Sequence, residues 1–151
     1  MEAKPTWRTL LKSERVKKHT TSVEEPESLR ALVRRDLSDA TLTGLSDDRR
    51  FATAYYAALQ LAKMVIACTG FRVSGPGHHV TTFDALPLAM GPDFEAFADY
   101  LDACRRKRNV LDYDAAFVAT ATEADELLAK VEEFQKQVEE WIAVNYPELG
   151  Q

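Results

Sequence analysis

The chain is short of cysteine, of long apolar runs and of alternating segments, and each shortage removes a class of protein. Cys68 and Cys104 are its two cysteines, too few by themselves for a disulfide framework or a four-thiolate zinc site. Both fall within helical apolar patterns, where free cysteine behaves as a small buried hydrophobe, and a reduced, cytoplasmic compartment is expected. No apolar run approaches the ~20 residues needed to cross a bilayer, which predicts no membrane role. The opening Met1-Glu2-Ala3-Lys4-Pro5 has no apolar h-region, which predicts no secretory signal. No stretch alternates cleanly at period two, so strands are not expected. Internal repeats, low-complexity tracts and convincing linkers are also missing. So are a glycine-rich phosphate loop, a nucleophile elbow and paired carboxylates at a recognisable catalytic spacing.

What is present is the profile of one globular domain. The 151 residues are 46% apolar and 28% charged, enough to bury a substantial core. A net charge of −5 speaks against a broadly basic nucleic-acid binder, but the distribution is uneven. Residues 1–75 carry 13 Lys and Arg against 9 Asp and Glu, and residues 76–151 carry 6 against 15. Four of those six are consecutive: Arg105, Arg106, Lys107 and Arg108. A cationic island inside an anionic half calls for a reason beyond solubility.

The apolar period is helical almost throughout. Trp7, Leu10 and Leu11 suggest a short opening helix, followed by a connector over 12–21. Ser22 and Glu25 have capping-box spacing and Pro26 suits a first turn. The second helix then carries Leu29, Leu32, Val33, Leu37 and Ala40 inward and ends near Thr43-Gly44. Ser46 with Asp47 and Asp48 starts a third helix, which Gly70 stops. Apolar over more than half its circumference, it reads as the centre of a bundle, with alanines that allow close helix approach. A loop over 70–81 and a short helix from Thr81 or Thr82, disturbed at Pro87, come next. Gly91-Pro92-Asp93 opens a fifth helix, in which Phe94, Phe97, Leu101 and Cys104 recur on one stripe. Arg108 is the next position on that stripe and Leu111 follows it. The last helix begins at Thr120 or Thr122, with Thr120 and Glu123 in capping-box register, and Pro147 closes it.

A guanidinium on an apolar face is costly unless paired or hydrogen-bonded. Arg108 therefore calls for a partner, a cleft or a subunit boundary, with Asn109, Asp112, Tyr113 and Asp114 close behind it. The plain alternative is an ion pair that closes a helix end.

The string Arg105-Arg106-Lys107-Arg108-Asn109-Val110-Leu111-Asp112-Tyr113-Asp114 resembles the signature helix of HEPN (higher eukaryote and prokaryote nucleotide-binding) domains. Phe51-Ala52-Thr53-Ala54-Tyr55-Tyr56-Ala57-Ala58 resembles the start of the family's central helix. The segment from Gly70-Phe71-Arg72 to Gly77-His78-His79 is similar to the one between its second and third core helices. The resemblance covers roughly residues 22–146 and implies an α-helical bundle that is typically a homodimer. In ribonuclease members, an arginine, an adjacent polar residue and a histidine after four to six intervening residues form a metal-independent site at the dimer cleft. Such members are often toxins paired with a nucleotidyltransferase antitoxin. By position, Arg108 matches the arginine and Asn109 its neighbour, but Tyr113 stands where the histidine is expected after four intervening residues. A phenol with an ordinary pKa near ~10 is a poor base at neutral pH. The resemblance therefore implies a site that binds phosphate through Arg108 better than it cleaves. In some pairs a tyrosine two positions beyond the histidine is adenylylated. That position here is Ala115, so the modification does not transfer.

His78 and His79 follow a Gly-Pro-Gly turn. They are either an exposed helix-start pair or a source for one imidazole that reaches the cleft in place of the missing base. Their adjacency does not make a metal site. Arg30, Arg34, Arg35, Arg49 and Arg50 read as solvated helix faces, with a groove for RNA as the alternative. Trp7, Trp141 and Tyr146 read as core or dimer anchors rather than base-stacking platforms.

The sequence thus predicts an all-α, HEPN-like antiparallel bundle of four-helix type with short additional helices. Residues 1–21 are read as an extension and 22–146 as the core. The expected function is a nucleic-acid- or nucleotide-binding module of toxin–antitoxin or stress-response type, with weak or absent RNase activity and no cofactor. If it is an enzyme, the expectation is a metal-independent endoribonuclease using Arg108 and Asn109 with Tyr113 or His79. A third reading is a protein-interaction adaptor. Arg105, Arg106, Lys107, Asp112 and His79 are the expected binding residues, and a homodimer, RNA or a nucleotide, and a nucleotidyltransferase are the expected partners.

Overall fold

The computed structural model of the chain describes residues 4–113, 116 and 118–151, with the side chains of 111–113 outside that description. The elements run α1 (Trp7–Lys12), β1 (Val16–Lys18), α2 (Glu24–Asp39), α3 (Asp47–Thr69), β2 (Phe71–Val73), α4 (His78–Met90), α5 (Glu95–Tyr113) and α6 (Ala121–Asn145). Single turns of 3-10 helix precede α5 and follow α6. The fold is all-α, a bundle wrapped around α3.

The start and stop signals of α3 act as the sequence predicts. The Ser46 side chain accepts a hydrogen bond from the Arg49 amide at 3.1 Å, and Asp47 and Asp48 sit in the first turn. Gly70 ends the helix at φ +100°, a left-handed conformation that a side chain would strain. Between those ends α2, α4, α5 and α6 all pack on α3. Ala54, Ala57, Ala58 and Ala62 are completely inaccessible; their small side chains let the neighbouring backbones close in. Leu101 from α5 and Leu127, Phe134, Val138 and Ile142 from α6 fill the same core, each full burial contributing about 1.5–3 kcal/mol. In length and composition α3 would suffice to cross a bilayer, which corrects the sequence expectation, but 72% of that apolar window is buried inside the bundle.

Several expectations need correction. The predicted connector contains β1, which pairs antiparallel with β2 in the register Val16↔Val73, Lys17↔Arg72 and Lys18↔Phe71. Strands of three residues are too short to show an alternation. This ribbon and α1 close a small second core of Leu10, Val16, Ile66 and Ala85, over which Trp7 stacks on Phe71 at 4.2 Å. Ser22 does not cap α2, whose N-cap position is Val23 with no side-chain bond. Glu25, the partner expected to reach back, is held instead by His19 Nε2 at 2.9 Å and by the Thr21 hydroxyl at 2.7 Å. The helix also ends at Asp39, short of Gly44. Helix α4 begins at His78 rather than Thr81 or Thr82, because Gly77 at φ +75° turns the chain and its carbonyl accepts from the Thr81 amide. Pro87 lies inside α4 without ending it.

Arg30 is the largest departure from the expected solvated faces. It is 97% buried, with Nε 2.9 Å from Glu139, Nη1 2.9 Å from Glu27 and Nη2 2.6 Å from the Leu149 carbonyl. It ties α2 to α6 and to the closing turn. Arg50 likewise bonds the Ala40 carbonyl, Asp47 and Asp125. Cys68 and Cys104 are buried and unlinked, and desolvation pushes both thiols up to about 11. Trp141 and Tyr146 lie against each other at the edge of the main core.

Candidate functional site

Helix α5 presents Arg105, Arg108 and Asn109 on one face, since positions three and four apart line up on a helix. The Gly75-Pro76-Gly77 turn brings the first residues of α4 opposite that face. Between them lies a cleft of about 390 Å³ lined by residues 75–80 together with Arg105, Arg108 and Asn109. No carboxylate is among its described lining residues. The first turn of α4 also contains no acidic residue and its N-cap, Gly77, contributes no side-chain bond. The amides of that turn therefore add to the positive character of this wall.

The arginine run divides. Arg108 Nη2 donates to the Tyr56 hydroxyl, and its guanidinium carbon lies 4.7 Å from the Tyr56 ring centre and 5.9 Å from that of Tyr55. Aromatic faces at this distance attract a cation. Arg105 Nε bonds Asp102 at 2.8 Å on the same helix. Arg106 is exposed and reaches Asp102 only at 3.8 Å. Lys107 points away from the cleft and pairs with Glu123 of α6. Of the predicted site residues, Arg105, Arg108, Asn109 and His79 meet; Arg106 and Lys107 are not in the cleft lining. The side chains of Asp112 and Tyr113 lie outside the described residues.

His79 is the residue whose plain reading fails. Rather than an open helix-start histidine, it is partly buried, with Nδ1 2.7 Å from the Tyr55 hydroxyl. Burial lowers its pKa to about 4, and Arg108, Lys63, Arg105 and His78 push in the same direction. It is neutral at pH 7. Burial also raises the Tyr55 phenol well above its ordinary range, against the opposing pull of Arg108, so that group is neutral too. Tyr55 and Tyr56, which touch His79 and Arg108, were given no site role from the sequence, where they enter only within the string similar to the family's central helix. Their signal was indirect: a cation on an apolar stripe has to rest on something. Behind His78, a second hollow of about 260 Å³ is lined mainly by apolar groups, including Leu29, Ile66 and Phe71, with Lys63 at its side. Desolvation lowers the Lys63 pKa. Among the described residues no cluster of His, Cys, Asp or Glu could hold a metal ion.

The family model described as SAV_6107-like HEPN matches residues 43–139, nearly two thirds of the chain and all of α3, α4 and α5. The chain belongs to the HEPN family. No curated protein and no solved structure matches it.

Proposed function

We propose that this HEPN domain binds the phosphate backbone of single-stranded RNA in the cleft between α5 and the start of α4, with weak or absent cleavage. A toxin–antitoxin or stress-response setting, which the sequence resemblance implies, is part of the same proposal. The observation that carries the reading is the convergence of Arg105, Arg108, Asn109 and His79 on one cleft without a described carboxylate in its lining. Guanidinium groups and N–H donors suit phosphate oxygens. Cleavage would need a base near neutrality to take the 2′-hydroxyl proton, and a histidine with a pKa of about 4 is a weak one.

The test is fluorescence anisotropy of a short labelled RNA across a salt series, with EDTA present and strand integrity followed on a gel. Affinity is expected to fall log-linearly with salt, with a slope of about −0.7 per phosphate contact. Arg105→Ala and Arg108→Ala should each weaken binding and reduce the slope by about one, whereas Arg106→Ala should do little. Absence of binding, or equal losses in all three variants, would overturn the reading. The placement of His79 beside Arg108 favours one second reading, a metal-independent endoribonuclease. Cleavage in EDTA that disappears in both Arg108→Ala and His79→Ala would establish it in place of the first.

A further inference from the structure

Tyr55 has no exposed surface, and its hydroxyl has one hydrogen-bond partner among the described residues, His79 Nδ1 at 2.7 Å. A buried O–H with no acceptor is strongly disfavoured. Two protons cannot share that contact, so either the phenol donates and Nδ1 is bare, or Nδ1–H donates and the phenolic proton has no acceptor. Only the first arrangement satisfies the buried hydroxyl. The imidazole proton is then on Nε2. The two ring nitrogens point in widely different directions, so with Nδ1 turned to Tyr55, Nε2 is turned away from it, and His79 is one of the residues that line the cleft.

From this geometry we propose that Tyr55 is a positioning residue that fixes His79 as a neutral Nε2–H donor to a phosphoryl oxygen of the bound strand. The inference rests on the phosphate-binding reading of the cleft and assigns it a chemistry. The ligand group is an oxyanion presenting acceptor oxygens only, and the histidine gives a hydrogen bond rather than a charge or a base. Among the described residues, the groups that bear on His79 are Tyr55 and Lys63 from α3, Arg105 and Arg108 from α5, and its neighbour His78. Four of the five are cationic or become so on protonation, which opposes an imidazolium in the free protein. A neutral donor adds affinity without releasing a counterion, so its contribution is independent of salt, unlike that of the two arginines.

The experiment is long-range ¹H–¹⁵N correlation of the histidine rings in the free protein at pH 7, followed by titration with a short RNA. The expected result is a non-protonated Nδ1 and a protonated Nε2 on His79, with the Nε2 resonance moving as RNA is added. In Tyr55→Phe, which keeps the ring in the core, the Nδ1–H form should become populated. His79→Ala should weaken RNA binding by about three- to tenfold, the worth of one neutral hydrogen bond, with an unchanged salt slope. A free protein with Nδ1–H or imidazolium at His79, or a His79→Ala slope reduced by about one, would overturn the inference. The arginine dependence of binding would still stand in that case. Loss of that arginine dependence with the Nε2–H tautomer intact would instead reject the binding reading, and with it the donor role assigned to His79.

Discussion

Arg108 stands where the α5 stripe would otherwise continue with an aliphatic side chain, and the aromatic pair on α3 takes up its cost. At the same scale, His79 couples the cleft to stability. Its folded pKa of about 4 lies below the ordinary imidazole value of 6.5. Between those values the unfolded chain binds a proton that the folded one does not, so stability is lost on acidification from about pH 6.5 toward 4 and regained as pH rises. Each unit corresponds to about 1.4 kcal/mol, and partial solvent access reduces the whole effect to about 1–2 kcal/mol. Urea unfolding at pH 7 and pH 4.5 should show wild type losing that much more than His79→Gln. An equal loss in the two proteins would contradict the burial of a neutral imidazole.

Among elements, the tie between α2 and α6 is the one least expected from composition. Arg30 is 97% buried and Glu139 is its closest carboxylate partner across the helices, at 2.9 Å. Removing one member of such a pair leaves an uncompensated buried charge and costs about 3–5 kcal/mol. Glu139→Ala should fall toward the lower end, because Glu27 and the Leu149 carbonyl remain; chemical denaturation checks this. The case shows where sequence reading stopped. Ser46, Gly70, Thr120 and Glu123 were legible because capping is local chemistry between residues three apart, and Thr120 and Glu123 do form both bonds of the box. Arg30 was not, because its partner is 109 positions away. The short ribbon between β1 and β2 and the Tyr55–His79 bond were hidden for the same reason. Arg108 was legible as an anomaly on a stripe, while Tyr56, on which it rests, was not.

At the scale of the molecule, α3 forms the hub on which the four other long helices pack. Its Tyr55 and Tyr56, which hold His79 and Arg108, are carried by a segment buried along most of its length, so the supports of these two cleft residues belong to the central core helix. The wall opposite α5 is the start of α4, set by two glycines at positive φ, Gly75 and Gly77. An acidic protein with net charge −5 can still receive a polyanion if its cations are gathered on one wall, and the cleft does this with two of the four cations of the run. The most direct measurement is a map of amide chemical shifts on adding a short single-stranded RNA at low salt. The account predicts that the largest changes fall in residues 75–80 and 105–109. Changes centred on Arg106 and the outer face of α6, or none at millimolar RNA, would contradict it.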